Sequence, residues 1–103
     1  MLTKGDIMNM AVSFNHVDHS DALQFFINQK SGNLKKFLWN GEHFDWVIEN
    51  DAKFFKLKLN LKLRNKMIKV SAKDENAFSA VNKIIDKAKR LISEDHQRLR
   101  LLH

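Results

Sequence analysis

FFKLKLNLKLR, residues Phe54–Arg64, is the stretch of sequence that decides the fold. Its apolar residues recur at every second position, and nearly all the positions between them are cationic. Successive side chains of a β-strand point to opposite faces, so the pattern predicts a strand with one apolar face and one cationic face. The apolar face consists of Phe55, Leu57, Leu59, Leu61 and Leu63. Such a row must be covered, and the amphipathic segments before and after it are the candidates.

Three further strands are predicted around this central one. They span Met8–Val17, Phe44–Glu49 and Met67–Ala72, where apolar and polar residues alternate. Short turns at Asn50–Ala52 and Asn65–Lys66 join the last three strands. Such short connections predict an antiparallel meander.

Two amphipathic helices complete the pattern. Ser20 is the predicted N-cap of a first helix that runs to about Phe37, and a second helix runs from about Asn76 towards Arg100. Because a helix joins the first two strands, these strands should be parallel, with both helices covering one face of the sheet. The sequence therefore predicts an α+β fold of order β-α-β-β-β-α, a four-stranded mixed sheet with two helices on one face.

Length and composition limit the class of protein. The chain has 103 residues and no cysteine, which excludes disulfides and thiolate chemistry. We expect one domain over residues 8–103, preceded by a flexible extension, Met1–Ile7. No apolar run is long enough to span a bilayer, and the start lacks the apolar middle of a secretory signal. These features predict a cytoplasmic protein that does not contact a membrane.

The charge is strongly positive, with a formal net charge of +6 and a pI of about 9.7. Such a balance favours polyanions, nucleic acid first. At 100° per residue, Lys83, Lys87 and Arg90 form an outward stripe on the second helix. Any one of these side chains could simply be a solvated lysine or arginine, but acids are sparse along the stripe. Segregated charge of this kind is typical of a surface that contacts a phosphate backbone.

Two further groups of lysines allow more than one interpretation. Lys30 falls on the apolar stripe of the first helix, either as a lysine that snorkels at the edge of the core or as a cation in a groove between helices. The cationic face of Phe54–Arg64 is either a second binding surface or an exposed face kept soluble by lysines, and the second interpretation is favoured.

Signatures of catalysis are missing. His16 and His19 form a loop pair without a third ligand at a recognisable spacing, so surface histidines are favoured over a metal site. The sequence contains no glycine-rich phosphate loop and no recognisable Ser/His/Asp arrangement. We therefore expect a protein that is not an enzyme and uses no metal, cofactor or small-molecule substrate.

Two blocks of sequence resemble a known family. The first is Val70–Arg100, with Ser71-Ala72, Asn76-Ala77-Phe78, Ala80-Val81, Asp86-Lys87, Arg90, Arg98 and Arg100. The second is Ser20-Asp21-Ala22-Leu23 with Phe26, Lys30, Leu34 and Phe37. Together they resemble the short ribosome hibernation promoting factors and protein Y, also called ribosome-associated inhibitors or sigma factor modulation proteins. The resemblance covers about Met8 to Arg100.

The resemblance implies a fold like the double-stranded RNA-binding domain and a function without catalysis. It implies binding to the small ribosomal subunit and its rRNA, over the decoding region, so that translation is blocked by occupancy in stationary phase or stress. It carries over rRNA contacts to Lys30, Lys87, Arg90, Arg98 and Arg100, which favours the groove interpretation of Lys30. Gln24 and Asn33 stand where relatives often carry basic residues, and Phe14 stands where glycine is common among them. On charge alone, the residues that could compensate are Lys35, Lys36 and Lys83.

Two alternatives remain open at this stage. The chain could be a general RNA-binding module unconnected with ribosomes, or a protein-interaction domain that regulates transcription. We expect a monomer in solution, and the residues do not decide whether ribosomes would be paired or held singly.

Overall fold

The computed structural model describes residues 9–35, 43–63 and 66–101, with side chains described from 10 to 94 within those ranges. The elements are β1 (Asn9–Asn15), α1 (Asp21–Lys35), β2 (His43–Asp51), β3 (Phe54–Lys62), β4 (Met67–Asp74) and α2 (Ala77–Leu101). The predicted order β-α-β-β-β-α is confirmed. Met1–Ile7, Phe37 and Arg64 lie outside the described residues, and the single domain over residues 8–103 stays a prediction.

The sheet has the predicted mixed topology. Its strand order is β1-β2-β3-β4, so β1 and β4 are the edge strands. β1 pairs with β2 in parallel, whereas the pairs β2–β3 and β3–β4 are antiparallel. A two-residue turn at Ala52–Lys53 joins β2 to β3, and Ala52 adopts a φ of 58°. This turn sets the β2–β3 register, in which Leu59 lies opposite Trp46, and in the β3–β4 pair Leu59 lies opposite Val70.

The inner face of β3 forms the centre of the core, as predicted. Leu57, Leu59 and Leu61 are fully buried, and Phe55 and Leu63 are partly buried at the two ends of the row. Full burial of one leucine side chain stabilises a fold by roughly 1.5–3 kcal/mol. α2 covers this face together with α1, and its residues in the core are Ala77, Ala80, Val81, Ile84, Ile85, Ala88 and Ile92.

A buried hydrogen bond ties α1 to β2. Trp46 alternates with polar residues along β2, which predicts a place in the core, and its side chain has no exposed area. Its indole Nε1 donates a hydrogen bond to Oγ of Ser31, also fully buried, at 3.0 Å. A buried N–H without an acceptor costs about 1–3 kcal/mol, so Ser31 lets the apolar layer hold a tryptophan. The sequence did not predict a structural role for Ser31.

Side-chain caps begin both helices. Oγ of Ser20 accepts a hydrogen bond from the Leu23 amide at 3.1 Å, which confirms Ser20 as the N-cap of α1. Oδ1 of Asn76 accepts from the amides of Phe78 and Ser79 at 2.8 and 3.1 Å. Since α1 follows β1, α2 follows β4, and these strands point the same way, the two helices run in the same direction across the sheet.

The spacing of apolar residues along the second helix predicts a buried stripe of Phe78, Val81, Ile84, Ile85, Ala88, Leu91 and Ile92, and two of these residues are more exposed than expected. Phe78 and Leu91 each keep 39% of their surface exposed. Both lie on the flanks of the stripe rather than at its centre. The ring of Phe78 packs edge-on against Phe26 of α1, with ring centroids 5.2 Å apart, so it closes the seam between the helices.

Candidate nucleic-acid interface

The cationic stripe of α2, formed by Lys83, Lys87 and Arg90, lies along the free edge of β4. Lys83 Nζ is 2.9 Å from Oδ2 of Asp74, the last residue of that strand. One turn later, Lys87 Nζ donates a hydrogen bond to the backbone oxygen of Ser71 at 3.0 Å. These two contacts show that α2 runs antiparallel to β4 and that Lys83 and Lys87 reach this edge strand of the sheet.

The cations of the stripe differ in how far they are compensated. The ammonium of Lys83, followed by the amide of Asn76, holds the pKa of Asp74 below its usual value. Lys83 thus already has a carboxylate partner. Lys87 contacts only a neutral carbonyl group, and Arg90 is exposed without an ion pair to a described residue. Lys87 and Arg90 are therefore better placed than Lys83 to accept a phosphate.

Lys30 lies on the other flank of α2. Its ammonium is 5.3 Å from the centroid of the Phe26 ring, which in turn contacts Phe78 of α2. The side chain is half-buried. The structure does not bring Lys30 together with Lys87, because the width of α2 separates them. They lie on one layer of helices but on opposite sides of α2.

The remaining predicted contacts lie towards the helix ends. Lys35 is the last residue of α1, and Lys36 lies outside the described residues. Arg98 and Arg100 belong to the last turns of α2. That helix is about 37 Å long, against about 27 Å for β4, so its last turns extend past the sheet. The assignment of these residues to rRNA stays a prediction.

Lys89 is a cation near the seam that the sequence interpretation left out. It follows Phe78 by eleven residues, three turns of helix, so both lie on the flank of α2 that faces α1. It is exposed there and engages in an interaction of its own. The same helical step that revealed the stripe could have identified it.

The outer face of the sheet carries a second group of lysines. On β3 and β4, Lys58 pairs with Glu49 at 3.4 Å and Lys73 with Asp51 at 2.9 Å. The hydrogen bond from Lys73 holds the pKa of Asp51 below its usual value. Part of this face is thus a network of exposed ion pairs.

The histidine pair is not arranged as a metal site. Nε2 of His19 lies 2.8 Å from Oδ1 of Asp21, and its ring packs edge-on against Phe14. Among the residues with described side chains, no three potential ligands are grouped to hold a metal ion. No described helix is long and apolar enough to cross a membrane.

An open cleft of about 490 Å³ lies where both helices begin. Its lining includes the caps Ser20 and Asn76 together with Asp18 and Glu75. Because the caps already accept the first amide groups and two carboxylates stand nearby, the cleft does not favour an anion.

Comparison with known proteins supplies a family match and a fold match. The family model described as sigma 54 modulation protein / S30EA ribosomal protein matches residues 10–100. The search of curated proteins found no match.

Two solved structures share the fold. The N-terminal domain of Thermus thermophilus Protein Y is 13% identical, with a TM-score of 0.75 over 84% of this chain and 96% of that one. A ribosomal subunit interface protein from Coxiella burnetii is 16% identical, with a TM-score of 0.79 over 87% of this chain and 99% of that one. At these identities the likeness establishes the fold alone.

Proposed function

Because this chain belongs to the sigma 54 modulation protein / S30EA ribosomal protein family, we propose that it is a ribosome-binding inhibitor of translation. It occupies the decoding region of the small subunit through its helical surface and promotes ribosome hibernation in stationary phase or stress. Inhibition follows from occupancy, without catalysis and without a cofactor. The observation that carries the proposal is the family match over nearly the whole chain.

The distribution of charge on α2 supports this proposal. Lys87 and Arg90 are exposed on a helix that is about 37 Å long and whose last turns carry Arg98 and Arg100. A polyanion can therefore contact cations along much of the helix. Phosphate contacts release condensed counterions, which gives sequence-independent affinity that falls steeply with salt.

The test is cosedimentation of the protein with small subunits over a range of salt concentrations, combined with chemical probing of the rRNA. With about five phosphate contacts, the log–log slope of affinity against salt should be about −3.5 to −4.5. K87Q/R90Q should make that slope shallower by roughly two. The wild type should protect nucleotides of the decoding region and should reduce protein synthesis in a purified translation system.

A matched control distinguishes the loss of phosphate contacts from a general loss of positive charge. K53Q/K58Q also removes two positive charges, but each of these lysines is paired with a carboxylate, Glu75 or Glu49. The control should leave the slope close to that of the wild type. Equal losses in both variants would mean that net charge alone matters.

Three other results would contradict the proposal. No cosedimentation at low salt would end it outright. Equal affinity for any RNA duplex, without protection of the decoding region, would favour a general RNA-binding module. Salt-insensitive binding to a protein partner, with RNA ignored, would favour a transcription-regulating interaction domain.

A further inference from the structure

The outer face of the sheet contains two geometrically equivalent pairs of lysines. Lys58 of β3 lies opposite Ser71, so it is diagonal to Lys73 on β4. Four residues along both strands, Lys62 lies opposite Met67 and is diagonal to Lys69. Diagonal neighbours of this kind are roughly 7–8 Å apart, which is within reach of long side chains. We call Lys58 and Lys73 the paired lysines, and Lys62 and Lys69 the turn-end lysines, since these lie towards the β3–β4 connection.

The paired lysines are compensated by the next strand. Glu49 and Asp51 of β2 stand on the same face, and each accepts an ion pair from one of them. The four side chains remain partly exposed, and each of the two lysines has its ammonium within 3.4 Å of a carboxylate oxygen. A polyanion would have to displace these carboxylates before it could contact the lysines.

The turn-end lysines have no such compensation. Both are exposed, and neither forms an ion pair with a described residue. At this end β2 contributes His43 opposite Lys62 and Asp45 opposite Asn60. By register Asp45 is diagonal to Lys62, as Glu49 is to Lys58, but its carboxylate pairs with no described lysine. Two like charges on neighbouring strands repel each other, and a bound anion would remove that cost.

These lysines are contiguous with the α2 stripe around the free edge of β4. The ammonium of Lys87 contacts the backbone of Ser71, and Lys69 is two residues away on the same strand. Because α2 runs antiparallel to β4, the turn that carries Arg90 lies further towards the Lys69 end. A chain of phosphates that leaves Lys87 and Arg90 can therefore cross the strand edge and meet Lys69 and then Lys62.

We propose that Lys62 and Lys69 form a second phosphate-binding surface, which takes an RNA backbone continuing from α2 over the edge of β4. This inference rests on the proposed function, since the same RNA-rich particle supplies both contacts. The edge of β4 then lies within the RNA interface. The protein contacts RNA both through α2 and through the outer face of the sheet.

The chemistry favours RNA over an acidic protein. Lysine binds a phosphate group as a point charge, without needing a shaped partner. Stable protein interfaces are depleted in lysine at their centre and depend on apolar or aromatic anchors. Met67 is the one exposed large apolar side chain among the described residues beside the turn-end lysines, which is too little for such an anchor.

The test compares K62Q/K69Q with K58Q/K73Q in the full chain. Each variant removes one lysine from β3 and one from β4, on the same face and with the same diagonal spacing. Binding is measured against salt with purified small subunits and with protein-free small-subunit rRNA. K62Q/K69Q should lower affinity roughly five- to eightfold per lost contact at about 0.1 M salt, and it should make the slope shallower by about 1.4–1.8. K58Q/K73Q should leave the slope unchanged.

A third variant tests for a gain of affinity. D45N removes the carboxylate that is diagonal to Lys62 and should strengthen RNA binding, whereas its effect should vanish in the K62Q/K69Q background. Circular dichroism and thermal melting check that all variants are folded.

Each contrary outcome has a distinct meaning. If the wild type fails to bind small subunits, the proposed function falls and takes this inference with it. If the wild type binds and K62Q/K69Q binds equally well, only the second surface is refuted. Equal losses in both double variants would indicate an effect of net charge, which also overturns it. A loss on whole subunits but not on protein-free rRNA would assign these lysines to a ribosomal protein.

Discussion

The two faces of the sheet are made from the same four strands, yet they are determined in different ways. On the inner face, Leu57, Leu59 and Leu61 have no exposed area. On the outer face, Lys58 is exposed over 43% of its side chain and Lys73 over 48%. The inner side chains are fixed by close packing, whereas the outer ones are fixed only by ion pairs in water, which contribute little each.

This difference separates stability from function. A buried leucine has one arrangement in a dense core, so its loss is felt throughout the fold. An exposed lysine can change partner at small cost, so the outer face can exchange a carboxylate for a phosphate. Substitutions on the inner face should therefore change the free energy of unfolding, and those on the outer face should change binding.

The largest effect is expected from L59A, at the centre of the inner face. Truncation removes buried methyl groups and leaves a cavity, so the protein should lose about 2–5 kcal/mol in free energy of unfolding. Chemical denaturation measures this loss. The neighbouring substitution K58A, on the outer face, should change the same quantity by less than about 0.5 kcal/mol. Comparable losses in the two variants would refute the distinction between the faces.

S31A should have the next largest effect. It leaves Nε1 of Trp46 buried without an acceptor, which costs about 1–3 kcal/mol. S13A makes the same chemical change at an exposed position of β1, on the outer face, and should be nearly neutral. Thermal melting of the two variants measures the difference, and a neutral S31A would show that water or another group accepts from the indole.

The turn that sets which residues face inward offers a stabilising change. A slip of one residue would exchange the two faces of β3, so the β2–β3 turn protects the whole arrangement. Ala52 occupies the left-handed region there, with φ of 58°, which glycine adopts without steric cost. A52G should raise the free energy of unfolding, measured by chemical denaturation, by about 1 kcal/mol. K53G, at the adjacent position where φ is not positive, should lower stability instead. A lower stability of A52G would mean that the greater entropy which glycine gives the unfolded chain outweighs the relief of backbone strain.

The leucine row shows what the sequence determines well. Alternation in residues 54–64 depends only on the geometry of a strand, and it correctly predicted which side chains are buried. The order of elements and the cap at Ser20 followed from equally local patterns. Ser31 could not be predicted, because its acceptor role exists only once Trp46 of β2 lies beside α1.

The candidate site was less predictable for the same reason. Helical spacing placed Lys83, Lys87 and Arg90 on one stripe, but it could not show that Asp74 compensates Lys83 while Lys87 reaches Ser71. Equally, the cationic pattern of β3 treats Lys58 and Lys62 alike. Strand register also treats them alike, since an acid of β2 is diagonal to each, and only the side-chain contacts show that Glu49 pairs with Lys58 while no described acid pairs with Lys62.

The smallest effect on stability should come from K73Q, which breaks an ion pair on the outer face. Lys73 holds the pKa of Asp51 below 3.8, first through a hydrogen bond and then through its charge, with a smaller contribution from Lys56. A carboxyl group whose pKa is lowered in the folded state stabilises that state above its unfolded pKa, and this contribution disappears as the pH falls through the folded pKa. In K73Q the pKa of Asp51 should rise towards 3.8, as NMR titration of its carboxyl group would measure.

The variant should therefore lose less stability than the wild type on acidification below about pH 3.8. Because Lys56 remains in place, the pKa of Asp51 in K73Q should stay somewhat below 3.8. K69Q provides the matched control on the same strand, since Lys69 has no described carboxylate partner, and it should leave the Asp51 titration unchanged. If both substitutions moved the pKa equally, the carboxylate would be responding to the net charge of the face. The separation between paired and turn-end lysines would then have no electrostatic basis.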